Sequence, residues 1–286
     1  MTAVRLSGKE PAAAIRAEVA EAAAASPTPP KLAVVVVRGD EASAWYVRTI
    51  SSAAAKVGID CEVIEAEPDG PIIRATLRQL SSDHGVHGIV LQSPLPAGLP
   101  PAQQLAGVID AAKDVDGANP LSLGRLAASQ PAFAPATAAA VLALLDHHQV
   151  ELAGRHAVVV GRSTVVGKPV AHLLLDRNAT VTVAHSRTSD LAAVTRQADV
   201  LVVAAGRAGL ITAQHVRPGA YVIDVGTNPT PDGKLVGDVD AASVEPVAGW
   251  LSPVPGGVGP VTTAVLLRHT VTAAVTAQGS RASIGT

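Results

Sequence analysis

Short runs of β-branched residues alternate with Ala- and Leu-rich stretches of helical length along most of the chain. This alternation is typical of βαβ units, in which helices join parallel strands. The apolar runs predict strands at 32–37, 61–65, 88–92, 156–160, 180–184, 200–204 and 221–225. The stretches of helical length predict helices at 41–57, 72–80, 102–112, 136–148, 166–176, 190–197 and 259–278. Because the pattern restarts after the helix at 136–148, we expect two α/β domains.

Composition and charge narrow the class of protein. The chain has 286 residues, 48% of them hydrophobic and 16% charged, as expected for a packed globular protein of two domains. The formal net charge of −2 argues against nucleic acid or an anionic membrane as a partner. One cysteine, Cys61, excludes an intrachain disulfide, and no apolar run approaches the roughly 20 residues that span a bilayer. We therefore expect a cytoplasmic protein without a membrane segment.

A glycine-containing turn, GRSTVVGKP at 161–169, follows the predicted strand 156–160. Gly161 allows a sharp turn, and the amides that open the next helix favour a phosphate. Gly167 would let that helix pack close to the sheet. Ser163 stands where the dinucleotide fingerprint has its middle glycine, so the turn predicts a nucleotide site only weakly. An ordinary βα turn remains the alternative.

The end of the next predicted strand indicates which cofactor the turn would take. NAD-specific sheets place an acidic residue there to bind the ribose 2′-hydroxyl, but residues 184–188 read AHSRT. Arg162, Ser163, Ser186 and Arg187 would instead suit a 2′-phosphate, because guanidinium–phosphate pairs are charge-assisted. The sequence therefore favours NADP, with a solvated basic loop as the alternative. The nine histidines show no metal-ligand spacing, so we predict no metal.

Four further segments fall at predicted strand ends or in loops, where functional sites usually lie. The segment PVPGGVGP at 253–260 is the most specific, because three prolines and three glycines fix an irregular backbone directly before a helix. The other segments are SAWYV at 43–47, QSPLP at 92–96 and KDVDG at 113–117.

Together with GRSTVVGKP and the segment VIDVGTN at 222–228, these segments resemble the methylenetetrahydrofolate dehydrogenase/cyclohydrolase family in order and spacing. The resemblance implies a two-domain α/β protein with a cleft between the domains. Residues 1–135, joined by a C-terminal helix at 264–286, would form a three-layer α/β catalytic domain that binds folate. Residues 136–263 would form a Rossmann-like NADP-binding domain. A homodimer and a reduced folate as the small-molecule substrate are also implied.

The resemblance assigns catalytic and substrate-binding roles to three residues. Tyr46 would stack on the pterin, Gln92 would join the polar network of the active site, and Asp116 would accept hydrogen bonds from the pterin N–H groups. Each could instead be structural: Tyr46 as a half-buried helix residue, Gln92 as the polar end of a strand and Asp116 as a turn former. The folate pocket is assigned to Pro255, Gly256 and Gly257. The NADP contacts are assigned to Gly161, Arg162, Ser163, Val166, Gly167, Ser186, Arg187 and Thr227.

The chain departs from the family at one residue that matters for chemistry. The family has a lysine four residues after the tyrosine, and this chain has Ile50. Lys56 cannot substitute, because on a helix it lies about 9 Å further along the axis and points elsewhere. Smaller departures are Ser93, Ser122, Ala136 and Ala138, where the family has Leu, Asn, Cys and Pro.

These departures bear unequally on the family's two reactions. Oxidation of 5,10-methylenetetrahydrofolate to the methenyl compound is a hydride transfer that needs positioning. Hydrolysis of the methenyl compound to 10-formyltetrahydrofolate needs general acid–base catalysis, which isoleucine cannot supply. We therefore expect an NADP-dependent dehydrogenase of one-carbon metabolism with weak or absent cyclohydrolase activity. Two alternatives are a paralogue that acts on a related iminium substrate and a non-catalytic folate or nucleotide-binding protein.

Overall fold

A computed structural model describes residues 2–38 and 41–282, with side chains for 2–38 and 46–279. The strands are β1 (Val4–Arg5), β2 (Lys31–Val37), β3 (Asp60–Ala66), β4 (Gly88–Leu91), β5 (His156–Val160), β6 (Thr180–Ala184), β7 (Val200–Val203), β8 (Tyr221–Asp224), β9 (Asn228–Pro229), β10 (Leu235–Val236) and β11 (Trp250–Leu251). The helices are α1 (Lys9–Ala24), α2 (Glu41–Lys56), α3 (Gly70–Ser82), α4 (Ala102–Ala106), α5 (Pro120–Ala127), α6 (Ala136–His147), α7 (Gly167–Asp176), α8 (Leu191–Thr195), α9 (Ala241–Val244) and α10 (Val258–Ala282), with a short 3₁₀ helix at Ala213–His215.

The chain forms two compact units. Unit 1 contains residues 1–12 and 137–262, and unit 2 contains residues 13–136 and 263–286. The expectation that residues 1–12 belong with the N-terminal domain is wrong. The reason is strand pairing, since β1 lies parallel to β11 and completes the sheet of unit 1.

Unit 1 is built on a six-stranded parallel sheet with the order β1-β11-β8-β7-β5-β6. The central strands β5 and β7 are continuous valine-rich runs whose residues are buried along almost their whole length. Strands of this kind occur where helices cover both faces of a parallel sheet. The predicted Rossmann-like arrangement is therefore confirmed.

Unit 2 contains a three-stranded parallel sheet with the order β3-β2-β4. In the central strand β2, Leu32, Ala33, Val34 and Val35 are completely buried, because the strand pairs on both edges and is covered on both faces. The Asp69 side chain caps α3 by accepting a hydrogen bond from the backbone N–H of residue 72 at 2.9 Å.

The predicted helix at 102–112 is wrong in length, since α4 ends at Ala106. The Asp110 side chain accepts a hydrogen bond from the N–H of Ala112 at 2.9 Å, and such a local turn competes with helix formation. The sequence pattern also missed α1 and α5. In α5, Pro120 occupies the first turn and the Asn119 side chain accepts the N–H of residue 121, so this helix has its own start signal.

Candidate active site

Tyr46 and Asp116, two residues assigned to the pterin site, lie near each other in unit 2. Tyr46 stands on α2, and its hydroxyl forms a hydrogen bond with the side chain of Thr263. Burial raises the pKa of the Tyr46 hydroxyl, and the charge of Asp116 raises it further. Because such an influence weakens with distance, the aromatic ring and the carboxyl group belong to one local environment. The side chain of Trp45, in the same segment SAWYV, lies outside the described residues.

The carboxyl group of Asp116 titrates near neutral pH. Burial is the main cause, and the charge of Asp114 adds to it, so that together they raise the pKa of Asp116 from 3.8 to about 7. Part of the Asp116 surface nevertheless remains accessible. An ionised Asp116 can accept hydrogen bonds from a ligand, whereas the protonated form offers one donor.

The turn that carries Asp116 is organised by the buried carboxylate of Asp114. This carboxylate accepts hydrogen bonds from the backbone N–H of Ala118 at 3.0 Å and of Asn119 at 2.9 Å. It also accepts the hydroxyl of Ser122 at 2.6 Å. Three donors on a side chain that is 1% exposed fix the backbone on the C-terminal side of Asp116.

Gln92 directly follows β4 at the carboxyl end of the sheet in unit 2. Its backbone N–H donates to the carbonyl of Val35 at 2.9 Å, and its side-chain amide donates to the carbonyl of Ser93 at 3.0 Å. Strands β2 and β4 run parallel, so Gln92 lies at the edge from which the chain leaves β2 toward α2. Gln92 therefore lies at the sheet edge where α2, the helix of Tyr46, begins.

The proline- and glycine-rich segment forms the turn before α10 in unit 1. The N–H of Gly8 donates to the carbonyl of Gly256 at 2.9 Å, and a Cβ on Gly8 would collide with the carbonyl of Gly257. Pro255 and Gly256 line a cavity of about 630 Å³ together with Arg5. Two of the three residues assigned to the folate pocket thus border open space.

The glycine turn after β5 has the close packing that a dinucleotide cradle needs. Gly161 has φ +133°, and a Cβ on it would collide with the carbonyl oxygen of Ala204. A Cβ on Gly167 would collide with the carbonyl of Gly161. The Ser163 hydroxyl accepts hydrogen bonds from the backbone N–H of Val166 at 3.1 Å and of Gly167 at 3.3 Å, which orders the start of α7. These residues fit a bound pyrophosphate.

The residues assigned to the 2′-phosphate share one edge of the sheet of unit 1. Arg162 and Ser163 are exposed after β5, and Ser186 and Arg187 are exposed after the neighbouring parallel strand β6. Thr227 is exposed after β8, at the carboxyl end of the same sheet. This side-chain chemistry fits NADP, because the loop after β6 presents a cation and no carboxylate.

Sequence analysis missed a pair of buried aspartates in unit 1. Asp238 accepts the backbone N–H groups of Ala205 at 2.6 Å, Gly206 at 2.8 Å and Arg207 at 2.8 Å. Asp224 in turn accepts the N–H of Asp238 at 3.0 Å, and burial raises the pKa of Asp224 to about 6. The pair ties the loop after β7 to the segment after β10. No local pattern indicates this, because the donors and acceptors are far apart in sequence.

Comparison with known proteins assigns the family. Residues 6–116 match the tetrahydrofolate dehydrogenase/cyclohydrolase catalytic domain, and residues 135–278 match the NAD(P)-binding domain of the same family. A bifunctional protein FolD 1 of Saccharopolyspora erythraea is 63% identical over 274 residues, which cover 94% of this chain and 93% of the relative. The chain belongs to the tetrahydrofolate dehydrogenase/cyclohydrolase family.

Solved structures of this family share the fold. The bifunctional FolD enzyme from Campylobacter jejuni has a TM-score of 0.92 and 38% identity, covering 96% of this chain and 99% of that one. The Trypanosoma brucei methylenetetrahydrofolate dehydrogenase-cyclohydrolase, solved with NADP and an inhibitor, has a TM-score of 0.91 and 35% identity. It covers 96% of this chain and 98% of its own.

The residue at which the family resemblance implies a lysine is a core residue in this chain. Ile50 is completely buried on α2, one helical turn beyond Tyr46. Ala136 and Ala138 are also buried, at the start of α6. Ser122 has a role of its own, because its hydroxyl donates to Asp114. Of the residues at which the sequence departs from the implied family pattern, Ile50, Ser122 and Ala136 are buried in unit 2 and Ala138 is buried in unit 1.

Within the described part of the chain, no three His, Cys, Asp or Glu residues are grouped so that they could hold a metal ion. Likewise, no helix there has the length and apolar character needed to cross a membrane.

Proposed function

We propose that this chain oxidises 5,10-methylenetetrahydrofolate to 5,10-methenyltetrahydrofolate, with NADP as the hydride acceptor. Membership of this family supports a reaction on a reduced folate over a reaction on an unrelated substrate. The single observation that carries the site assignment is that Tyr46 and Asp116 share one electrostatic environment in unit 2, in which the charge of Asp116 raises the pKa of the Tyr46 hydroxyl.

Asp116 would select the pterin by its N–H groups. A carboxylate has two acceptor oxygens and matches a neighbouring pair of N–H donors, and burial from water strengthens such hydrogen bonds. The ionised form of Asp116 is the binding form. With a pKa of about 7, that form increases as the pH rises through neutrality. Folate affinity should therefore increase over this range.

Tyr46 and Gln92 would orient the folate. Tyr46 would offer the face of its ring to the folate. Its hydroxyl forms a hydrogen bond with Thr263, which holds the ring in place before the substrate binds. Gln92 is held by its own hydrogen bond to Ser93 at the carboxyl edge of the sheet. Neither group needs to move a proton in a hydride transfer. Their contribution is orientation and exclusion of water.

The glycine turn and the basic loop would hold NADP, which supplies the hydride acceptor when bound. Gly161 and Gly167 let the backbone approach the pyrophosphate closely. Arg162, Ser186 and Arg187 would surround the 2′-phosphate, which a carboxylate in that loop would repel. We therefore expect a preference for NADP over NAD.

We further propose that methenyltetrahydrofolate hydrolysis is weak or absent in this chain. A lysine one turn after Tyr46 could activate water and transfer a proton, work that contributes about 10² to 10⁴ in rate. Ile50 has no titratable group and is completely buried. The relatives are named bifunctional, so the proposed loss of hydrolysis would distinguish this chain from them.

We also propose that the chain forms a homodimer in the cytoplasm, as the family resemblance implies. Analytical ultracentrifugation at micromolar concentration would test the dimer.

The experiment for the proposed function follows NADPH formation by purified protein with methylenetetrahydrofolate. We expect rapid formation with NADP and at least about tenfold lower kcat/KM with NAD. Asp116→Ala should raise the folate KM and leave the NADP KM nearly unchanged. Binding of folate without NADPH formation would instead support a non-catalytic binding protein. The absence of both would contradict the proposal.

A further inference from the structure

Helix α10 carries two side chains that contact Tyr46 and the residue directly before Asp116. Thr263 forms a hydrogen bond with the Tyr46 hydroxyl, as described above. Six residues further along, Nδ1 of His269 lies 2.8 Å from the carbonyl oxygen of Val115, the residue directly before Asp116. Both contacts lie within unit 2. A single helix therefore contacts the environment of Tyr46 and that of Asp116.

The chemistry of the His269 contact is defined by its partner. Burial lowers the pKa of His269 to about 4, so the ring is neutral at physiological pH and carries one N–H. A carbonyl oxygen can only accept, which assigns that hydrogen to Nδ1. The ring also packs against Phe133, with centroids 4.9 Å apart and planes tilted by 36°. His269 is thus a fixed, uncharged hydrogen-bond donor.

The backbone around Asp116 is restrained on both sides. On its C-terminal side, the Asp114 carboxylate accepts the N–H groups of residues 118 and 119. Gly117 has φ +62°, and a Cβ there would collide with the backbone of residues 133–135. On its N-terminal side, Val115 is completely buried and its carbonyl is held by His269. Loss of the His269 contact would release one of these restraints.

We propose that His269 is a positioning residue for folate binding, which acts by holding the carbonyl of Val115 so that the Asp116 carboxylate faces the pterin. This inference rests on the proposed role of Asp116. His269 itself need not touch the substrate. Its effect is geometric, because the neutral ring adds no charge to the site.

Two variants of His269 separate its hydrogen bond from its bulk. His269→Leu keeps an apolar side chain of similar size but has no donor. His269→Asn keeps an N–H donor, because its amide nitrogen is attached to Cγ in the same way as Nδ1 of histidine. We expect the leucine variant to raise the folate KM about ten- to hundredfold, since small displacements of a positioning group have effects of this size. The NADP KM should stay within about twofold in both variants.

His87 provides the matched control for general loss of stability. It is a buried histidine of unit 2, and its Nδ1 accepts the backbone N–H of Lys31 at 3.0 Å. It precedes β4, at the end of the sheet opposite Gln92. His87→Leu should lower the melting temperature as His269→Leu does, but change the folate KM by less than about twofold.

Calorimetric titration with tetrahydrofolate alone gives a second readout that does not depend on turnover. Weaker binding by His269→Leu, with near wild-type binding by His269→Asn and His87→Leu, would support the proposal. Wild-type affinity in the leucine variant, or equal weakening in the asparagine variant or in the His87 control, would overturn it. If the wild type binds tetrahydrofolate but forms no NADPH, the proposed function fails while this test of His269 still stands.

Discussion

Replacing Ile50 with lysine should introduce methenyltetrahydrofolate hydrolysis into this chain. Residues 46 and 50 are four apart on α2, which places them about 40° apart around the helix and about 6 Å apart along it. A lysine at residue 50 would therefore extend on the same face as Tyr46. Its amine could deliver and accept protons close to a folate held by Asp116.

The gain in rate and the loss of stability can both be estimated. General acid–base catalysis contributes about 10² to 10⁴ in rate, so we expect hydrolysis to increase at least about 100-fold. Removing the completely buried isoleucine side chain from the core costs about 1.5 to 3 kcal/mol. The new amine is desolvated as well, which lowers its pKa and favours the neutral base. A domain of ordinary stability, about 5 to 15 kcal/mol, would remain folded.

The assay follows the disappearance of the methenyl absorbance with wild type, Ile50→Lys and Ile50→Met. Methionine matches the flexible chain of lysine without its amine, so it controls for altered packing. Only the lysine variant should hydrolyse the methenyl compound much faster than buffer does. Rapid hydrolysis by the wild type, or no gain in a folded lysine variant that still forms NADPH, would contradict this prediction.

Three further substitutions test separate parts of the account. The side chain of Asp116→Asn cannot ionise, so this variant should lose the rise of folate affinity through pH 7. In the wild type, ionisation of Asp116 above its raised pKa destabilises the fold, so the variant should have a higher melting temperature than the wild type at pH 8. Asp238→Asn should leave backbone donors unsatisfied, and denaturant unfolding should show a loss of about 1 to 3 kcal/mol. Gly167→Ala should raise the NADP KM at least about tenfold in steady-state assays, with little change for folate. Unchanged values would contradict each prediction.

Local β-branched runs predicted two neighbouring strands of unit 1 at both ends. The range 156–160 matches β5, a buried apolar run, and the range 180–184 matches the edge strand β6, in which Thr and Val alternate and only Ala184 is buried. In α1, which was not predicted, Ile15, Val19 and Ala23 are buried at a spacing of four, so the sequence does contain a helical signal there.

Other features depend on partners distant in sequence and could not be predicted locally. Strand β1 has two residues, and its place in unit 1 depends on the pairing of Val4 with Trp250. The environment of Asp116 also depends on residues that local patterns do not connect. The family resemblance indicated Asp116, but its raised pKa arises from burial and from Asp114. The contact of His269 with the neighbouring carbonyl joins segments that no motif connects.

The most direct test of the proposed reaction is the product ratio of the wild-type protein with methylenetetrahydrofolate and NADP. We expect one methenyltetrahydrofolate for each NADPH, with 10-formyltetrahydrofolate forming little or no faster than in buffer. Rapid conversion of the methenyl product to 10-formyltetrahydrofolate by the protein, or no NADPH at all, would contradict this expectation.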